Sequence, residues 1–187
     1  AVLVLVAGGL VDGSRDLIGA RERVRDAIGE LVPDAAAAGV QLAIEPLHPM
    51  YASDRCVVST LGQALDIAAD FDAATVGVTV DTFHIWWDPD VLASIARAGA
   101  EGRIATYQVC DWKTPLPADV LLSRHYPGDG VIDFGPLTRA VEATVAWSSL
   151  VRGEPHFDRL DIQAPDMVLR RDPAGQIFVA GIGLPAS

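Results

Sequence analysis

Val76-Gly77-Val78-Thr79-Val80-Asp81-Thr82-Phe83-His84-Ile85-Trp86-Trp87 opens as a short apolar run rich in β-branched residues. A strand buried on both faces of a parallel sheet has this composition. The run stops on a carboxylate and, three residues on, an imidazole. Two other segments repeat the pattern. Val40-Gln41-Leu42-Ala43-Ile44-Glu45 ends on an acid, and Ile104-Ala105-Thr106-Tyr107-Gln108-Val109-Cys110-Asp111 carries Gln108 and Asp111 at its end. Polar groups at the same end of successive strands point to a site.

Outward from these strands the chain alternates. Val2 to Val6 reads as a strand, and residues 16 to 38 as a helix that Pro33 should kink or split. Thr60 opens a helix whose apolar side is Leu61, Ala64, Leu65, Ile67 and Ala68. Asp88-Pro89 marks the start of the next helix, and Phe134 to Ala143 forms another. Repeated βα units imply a parallel sheet with helices outside it. No Gly-x-Gly-x-x-Gly or phosphate-binding loop follows a strand, so an open nucleotide-binding sheet loses ground to an α/β barrel. Val145 to Val151 and Gln176 to Ile182 read as strands, but the segment 145–187 breaks the alternation. The sequence begins without Met and directly in a core strand, so the expectation is that an upstream part is missing.

The 187 residues suffice for one domain, and with 50% hydrophobic and 21% charged residues the chain is globular. A net charge of -11 argues against a nucleic-acid or anionic-membrane surface. Two cysteines, Cys56 and Cys110, make no disulfide scaffold, which favours a cytoplasmic setting. The apolar start is too short to span a membrane.

Three motifs taken together resemble the sugar phosphate isomerase/epimerase family, the xylose isomerase-like TIM barrels. They are Leu42-Ala43-Ile44-Glu45-Pro46-Leu47-His48-Pro49, Val80-Asp81-Thr82-Phe83-His84, and Pro127-Gly128-Asp129-Gly130-Val131-Ile132-Asp133-Phe134. The resemblance covers residues 1 to 143. It implies a (β/α)8 TIM barrel that is incomplete here, since such a barrel needs about 250 residues. Residues 1–144 are then a partial barrel, and 145–187 an atypical segment that reads as a shifted frame after Thr144.

The resemblance also implies a divalent metal on Glu45, Asp81 and Gln108, with Glu45 doubling as the base. Hard oxygen ligands favour Mn²⁺, with Mg²⁺ or Co²⁺ as substitutes. The family's fourth ligand is a Glu on the strand after the last helix; here no Glu occurs after Ala143 until Glu154, in a turn-like Arg-Gly-Glu-Pro. His84 and Arg124 would bind oxygens of a small carbohydrate, and the unpaired sheet edge would favour a homo-oligomer.

The expected reaction is isomerisation or epimerisation of a small sugar, sugar phosphate or keto-acid through a metal-stabilised enediolate. Dehydration of a cyclic polyol of the inosose type shares that intermediate. An inactive metal-binding fragment is the reading from another class. A DNA-repair endonuclease on this barrel would want more than four His and a basic face. Bland roles compete at each residue: a strand-end acid often caps a helix, and a lone Gln often satisfies a buried backbone group. His48 and Asp111 read as loop residues, Asp129 and Asp133 as shapers of the Gly128–Gly130 turn. Trp86, Trp87 and Trp112 form either an apolar wall over the pocket or core packing. Cys110 reads as a small core residue.

Overall fold

The computed structural model describes the backbone of residues 1–152 and of three short strands at 169–171, 177–179 and 182–183, with side chains described through residue 144. The centre is a parallel sheet whose strands lie in chain order: β1 (Val2–Leu5), β2 (Gln41–Ile44), β3 (Val76–Asp81) and β4 (Ile104–Gln108). Sequential parallel order requires each crossover to carry a covering element. These are α1 (Leu17–Ala37), α2 (Leu61–Ala68), and the short turn α3 (Thr82–Ile85) followed by α4 (Val91–Ala100). The chain continues through two antiparallel two-residue strands, β5 (Asp111–Trp112) and β6 (Arg124–His125), joined by the long loop 113–123, into α5 (Phe134–Arg152). The strands β7 (Leu169–Arg171), β8 (Ile177–Val179) and β9 (Ile182–Gly183) pair only with one another among the described residues. Four parallel strands are an arc of the eight that close a barrel.

The two faces of the sheet differ for a reason visible in the register. Leu42 pairs with Val76, and Ile44 with Val78. Paired residues share a face, so Leu42, Ile44, Val76, Val78 and Val80 all look toward the helices. Each is at most 2% exposed and packs with Leu61, Leu65 and Ile95. Full burial of each such side chain contributes about 1.5–3 kcal/mol. The opposite face carries Ala43, Gly77, Thr79, Asp81 and Gln108, small or polar as a barrel interior at its mouth requires. The Thr106 hydroxyl donates to the Thr79 hydroxyl at 3.2 Å across this face. Gly77 cannot be larger: a Cβ there would stand 2.6 Å from the Arg103 carbonyl oxygen.

Thr60 caps α2, accepting from the Gln63 N–H at 3.1 Å, as its sequence predicts. Three local expectations change. Pro33 lies inside α1 without dividing it. Proline forfeits one N–H bond, and burial of Ile28 and Ala35 on either side of it holds the turn. Asp88-Pro89 precedes α4 rather than entering it: the Asp88 carboxylate accepts from the Asp90 N–H at 2.9 Å, and Asp90 is the cap. Val145–Val151 is helix, not strand, because α5 runs on from Phe134 to Arg152. Glu154 lies outside the described residues, as do 176, 180 and 181 of the segment read as the strand 176–182; within it 177–179 and the start of β9 are strand.

Candidate metal centre and active site

Three adjacent strands deliver the site. Glu45 follows β2 directly, Asp81 ends β3, and Gln108 ends β4 as the register partner of Asp81. Glu45 follows Ile44, the partner of Val78, so alternation puts it on the face of Thr79 and Asp81. The sequence-predicted trio therefore shares one face and one end of the sheet.

Asp81 is fully buried. One carboxylate oxygen accepts the Phe83 N–H at 2.9 Å and so starts α3, the single turn that brings His84 back over Asp81. The other oxygen accepts from the Arg124 guanidinium at 3.2 Å. Ligand atoms of Glu45, Asp81 and His84 lie within 4.8 Å of one another, and all three residues are buried. Burial, then the charge of Asp81 and a hydrogen bond to its side chain, push the Glu45 carboxyl up to about 8, with Arg124 opposing. The pair thus holds a proton at neutral pH. Two buried acids answered by one guanidinium form a donor set that suits a divalent cation in place of that proton.

His84 is 2% exposed, and burial lowers its pKa to about 4 against the pull of Asp81. It is neutral at pH 7, and its 4.0 Å approach to Asp81 is not an ion pair there. Both ring nitrogens face a donor. The His48 backbone N–H points at Nδ1 at 3.2 Å, and Arg124 Nη2 stands 2.9 Å from Nε2. A neutral imidazole has one lone-pair nitrogen, so the ring accepts from one of the two and meets the other donor with its own N–H.

Arg124 reaches the cluster from β6, its guanidinium 4.5 Å over the Phe83 ring. Trp112 stacks on Phe83 and on His48, at ring separations of 4.7 and 4.8 Å, and Trp86 lies 5.7 Å from Trp112. Trp87 meets His48 edge-on at 5.6 Å. The tryptophans therefore wall the side of the site that carries His48 and His84.

Sequence reasoning missed two contributors. His48 reads as a loop residue in the sequence, yet its N–H points at the His84 ring. Tyr51, in the turn Pro49–Tyr51, sets its ring 6.0 Å from that of His84 and buries a hydroxyl with no hydrogen-bond partner among the described residues. The signal was the Glu45-Pro46-Leu47-His48-Pro49 run, where two prolines stiffen the exit from a site strand. The turn at 128–130 is shaped by Asp111 rather than by Asp129 or Asp133. Asp111 accepts from the Gly128 and Gly130 N–H groups, whereas Asp133 caps Gly135 and Asp129 pairs with His125. Cys110 is a buried thiol, as expected, and burial raises its pKa.

The comparisons with known proteins agree with this geometry. The family model described as xylose isomerase-like TIM barrel matches residues 1–151. A crystal structure of a protein from Sinorhizobium meliloti 1021 is 51% identical, covering 76% of this chain and 51% of its own, with a TM-score of 0.71. The IolI protein, crystallised with a binding zinc atom, is 26% identical over 76% of this chain and 49% of its own, with a TM-score of 0.59. The 3-keto-D-glucoside 4-epimerase of E. coli, 20% identical over 88% and 57%, is similar in fold, with a TM-score of 0.57. No protein with a curated description matches. The chain spans about half the length of the first two structures. Among the described residues no helix is long and apolar enough to cross a membrane. Fold, strand-end acids and family model converge: this chain belongs to the xylose isomerase-like TIM barrel family.

Proposed function

We propose that the chain serves a divalent-metal-dependent isomerase or epimerase acting on a small sugar, sugar phosphate or keto-acid. The observation that carries this reading is the buried Glu45–Asp81 pair at neighbouring strand ends, with His84 and Arg124 converging beside it. Glu45, Asp81 and Gln108 would hold the ion, with Mn²⁺ the best match to three oxygen donors and Mg²⁺ or Co²⁺ as substitutes. His84 is the other available nitrogen, but a metal-bound imidazole normally donates its second N–H to an acceptor. Here each ring nitrogen faces a donor, which favours His84 as a substrate contact rather than as a ligand. When bound, the ion supplies Lewis acidity to a carbonyl and its neighbouring hydroxyl.

The chain's own groups supply the rest. Glu45, which burial beside Asp81 keeps protonated in the metal-free chain, would be freed of that proton by the ion and would then remove and return the substrate proton. The proton leaves the carbon next to the carbonyl, and its electron pair moves onto the carbonyl oxygen. His84 and the Arg124 guanidinium would hydrogen-bond a substrate oxygen beside the pair, most strongly when that oxygen carries charge. The tryptophan wall excludes water from one side. Dehydration of a cyclic polyol would share that enediolate, so inososes stand beside ketoses in the test.

The test is proton exchange. The chain is incubated in D₂O with Mn²⁺ and a panel of ketoses and inososes, and deuterium entry beside the carbonyl is followed by NMR. Exchange with at least one compound is expected, lost in Glu45→Gln. Exchange that survives that substitution contradicts the role of Glu45, and exchange with none of the panel contradicts the proposed substrate class.

A further inference from the structure

Asp111 lies three residues beyond Gln108 and is fully buried. Its carboxylate accepts four backbone N–H groups. One oxygen takes those of Trp112 at 2.7 Å and Ile132 at 3.1 Å; the other takes those of Gly130 at 2.8 Å and Gly128 at 2.9 Å. A carboxylate has about four lone-pair directions, and here each has a peptide donor. The loop is shaped to this anion. Gly128 has φ +98°, and a Cβ at Gly130 would collide with the Asp111 carboxylate and the Trp112 carbonyl oxygen.

This knot bears on the site through β5 and β6. Asp111 pairs with His125, and Trp112 pairs with Arg124. The Lys113 N–H donates to the Ser123 carbonyl, and the Val131 N–H to the Trp112 carbonyl, both at 3.0 Å. Arg124 therefore sits on a two-residue strand clamped between Trp112 and a loop whose other end is tied to Asp111. Two ladder residues cannot hold a strand by themselves.

We propose that Asp111 is the positioning residue that delivers Arg124 to Asp81 and His84. Asp111 acts through Arg124 and touches no reactant: its lone pairs are all engaged. This rests on the reading of Arg124 and His84 as the pair that holds a substrate oxygen. Asp111→Asn keeps the shape but turns an NH₂ toward two backbone donors, so the loop loses about half of its acceptors. Arg124 then leaves Asp81 and His84, and substrate affinity falls about 10- to 100-fold, the equivalent of one lost charge-assisted hydrogen bond.

The experiment reads the His84 ring by long-range ¹H–¹⁵N NMR in EDTA, with His84→Asn assigning the signal. Four proteins are compared: wild type, Arg124→Met, Asp111→Asn and the double variant. Asp111→Asn is expected to move the His84 resonances to where Arg124→Met moves them, and the double variant to add nothing. His84 signals unchanged in Asp111→Asn, or additive changes in the double variant, overturn the proposal. Should Asp111→Asn not fold, Gly130→Ala crowds the same knot, and a His84 shift in the Arg124→Met direction is expected; none overturns the proposal. Mn²⁺ titration of Asp111→Asn separates the two readings. Affinity within about threefold of wild type is expected, because the proposed ligands lie on other strands. Loss of Mn²⁺ binding only in the variant overturns a role confined to Arg124. Absence of binding in the wild type sinks the metal reading while the ring shifts still decide the positioning claim.

Discussion

Replacing Glu45 by Gln should remove a pH dependence of stability that the wild type shows between about pH 6.5 and 8. In the folded chain the Glu45 carboxyl titrates near 8, against 4.5 in the unfolded chain, because it is buried against Asp81. In this window the folded state keeps a proton that the unfolded state has lost, so stability falls as pH rises. The contribution is fully present below 4.5 and is gone above 8. His84 acts in the opposite direction and elsewhere: its pKa drops from 6.5 to about 4, so it costs stability only as pH falls below 6.5. The His48 pKa is also lowered by burial and joins it there. Above 6.5 the Glu45 effect therefore stands clear of both. One proton over about 1.5 pH units, at about 1.36 kcal/mol per unit, amounts to ~2 kcal/mol. Urea unfolding in EDTA across pH 6.5–8 measures it. Glu45→Gln, which mimics the protonated acid, should give a flat profile. A wild-type profile that is already flat, or an equal slope in both proteins, refutes the shared-proton account of the pair.

Three further outcomes follow from the same structure. Binding of Mn²⁺ at pH 7 should release about 0.9 proton, falling to about 0.1 at pH 9, because Glu45 titrates near 8; calorimetry in buffers of different ionisation enthalpy counts it. Thr60→Ala should cost about 1 kcal/mol in urea unfolding, since the Thr60 side chain caps α2. The outer strand β1 leaves Val2 43% and Leu3 51% exposed, with Val6 just beyond it at 51%, so sedimentation should show self-association that weakens in Leu3→Lys.

The sheet was legible because burial on two faces leaves a continuous β-branched run, and Val76 to Asp81 and Leu42 to Glu45 carry that run up to the site acids. The cap at Thr60 was legible because it is local. The helix through Val145–Val151 was not, since Val145, Trp147 and Val151 suit a strand as well, and only continuation from Phe134 decides. Proline at position 33 misled because propensity is local while the hold on α1 comes from packing at Ile28 and Ala35. At the site, Glu45, Asp81 and Gln108 were readable from strand ends. The roles of His48 and Asp111 were not: one acts through its backbone N–H, the other through peptide groups up to 21 residues away. The sequence marks Arg124 only as a substrate contact; the hairpin brings it into contact with Asp81 and His84, which no local pattern shows.

The central claim is that Glu45 and Asp81 hold a divalent ion at the end of the parallel sheet. Calorimetric titration of Mn²⁺ into the wild type and into Asp81→Ala tests it most directly. The account predicts one ion per chain in the wild type, with binding lost in the variant, while near-ultraviolet circular dichroism shows that the variant is folded. Equal binding by the two proteins would remove Asp81, and with it the proposed centre, from the site.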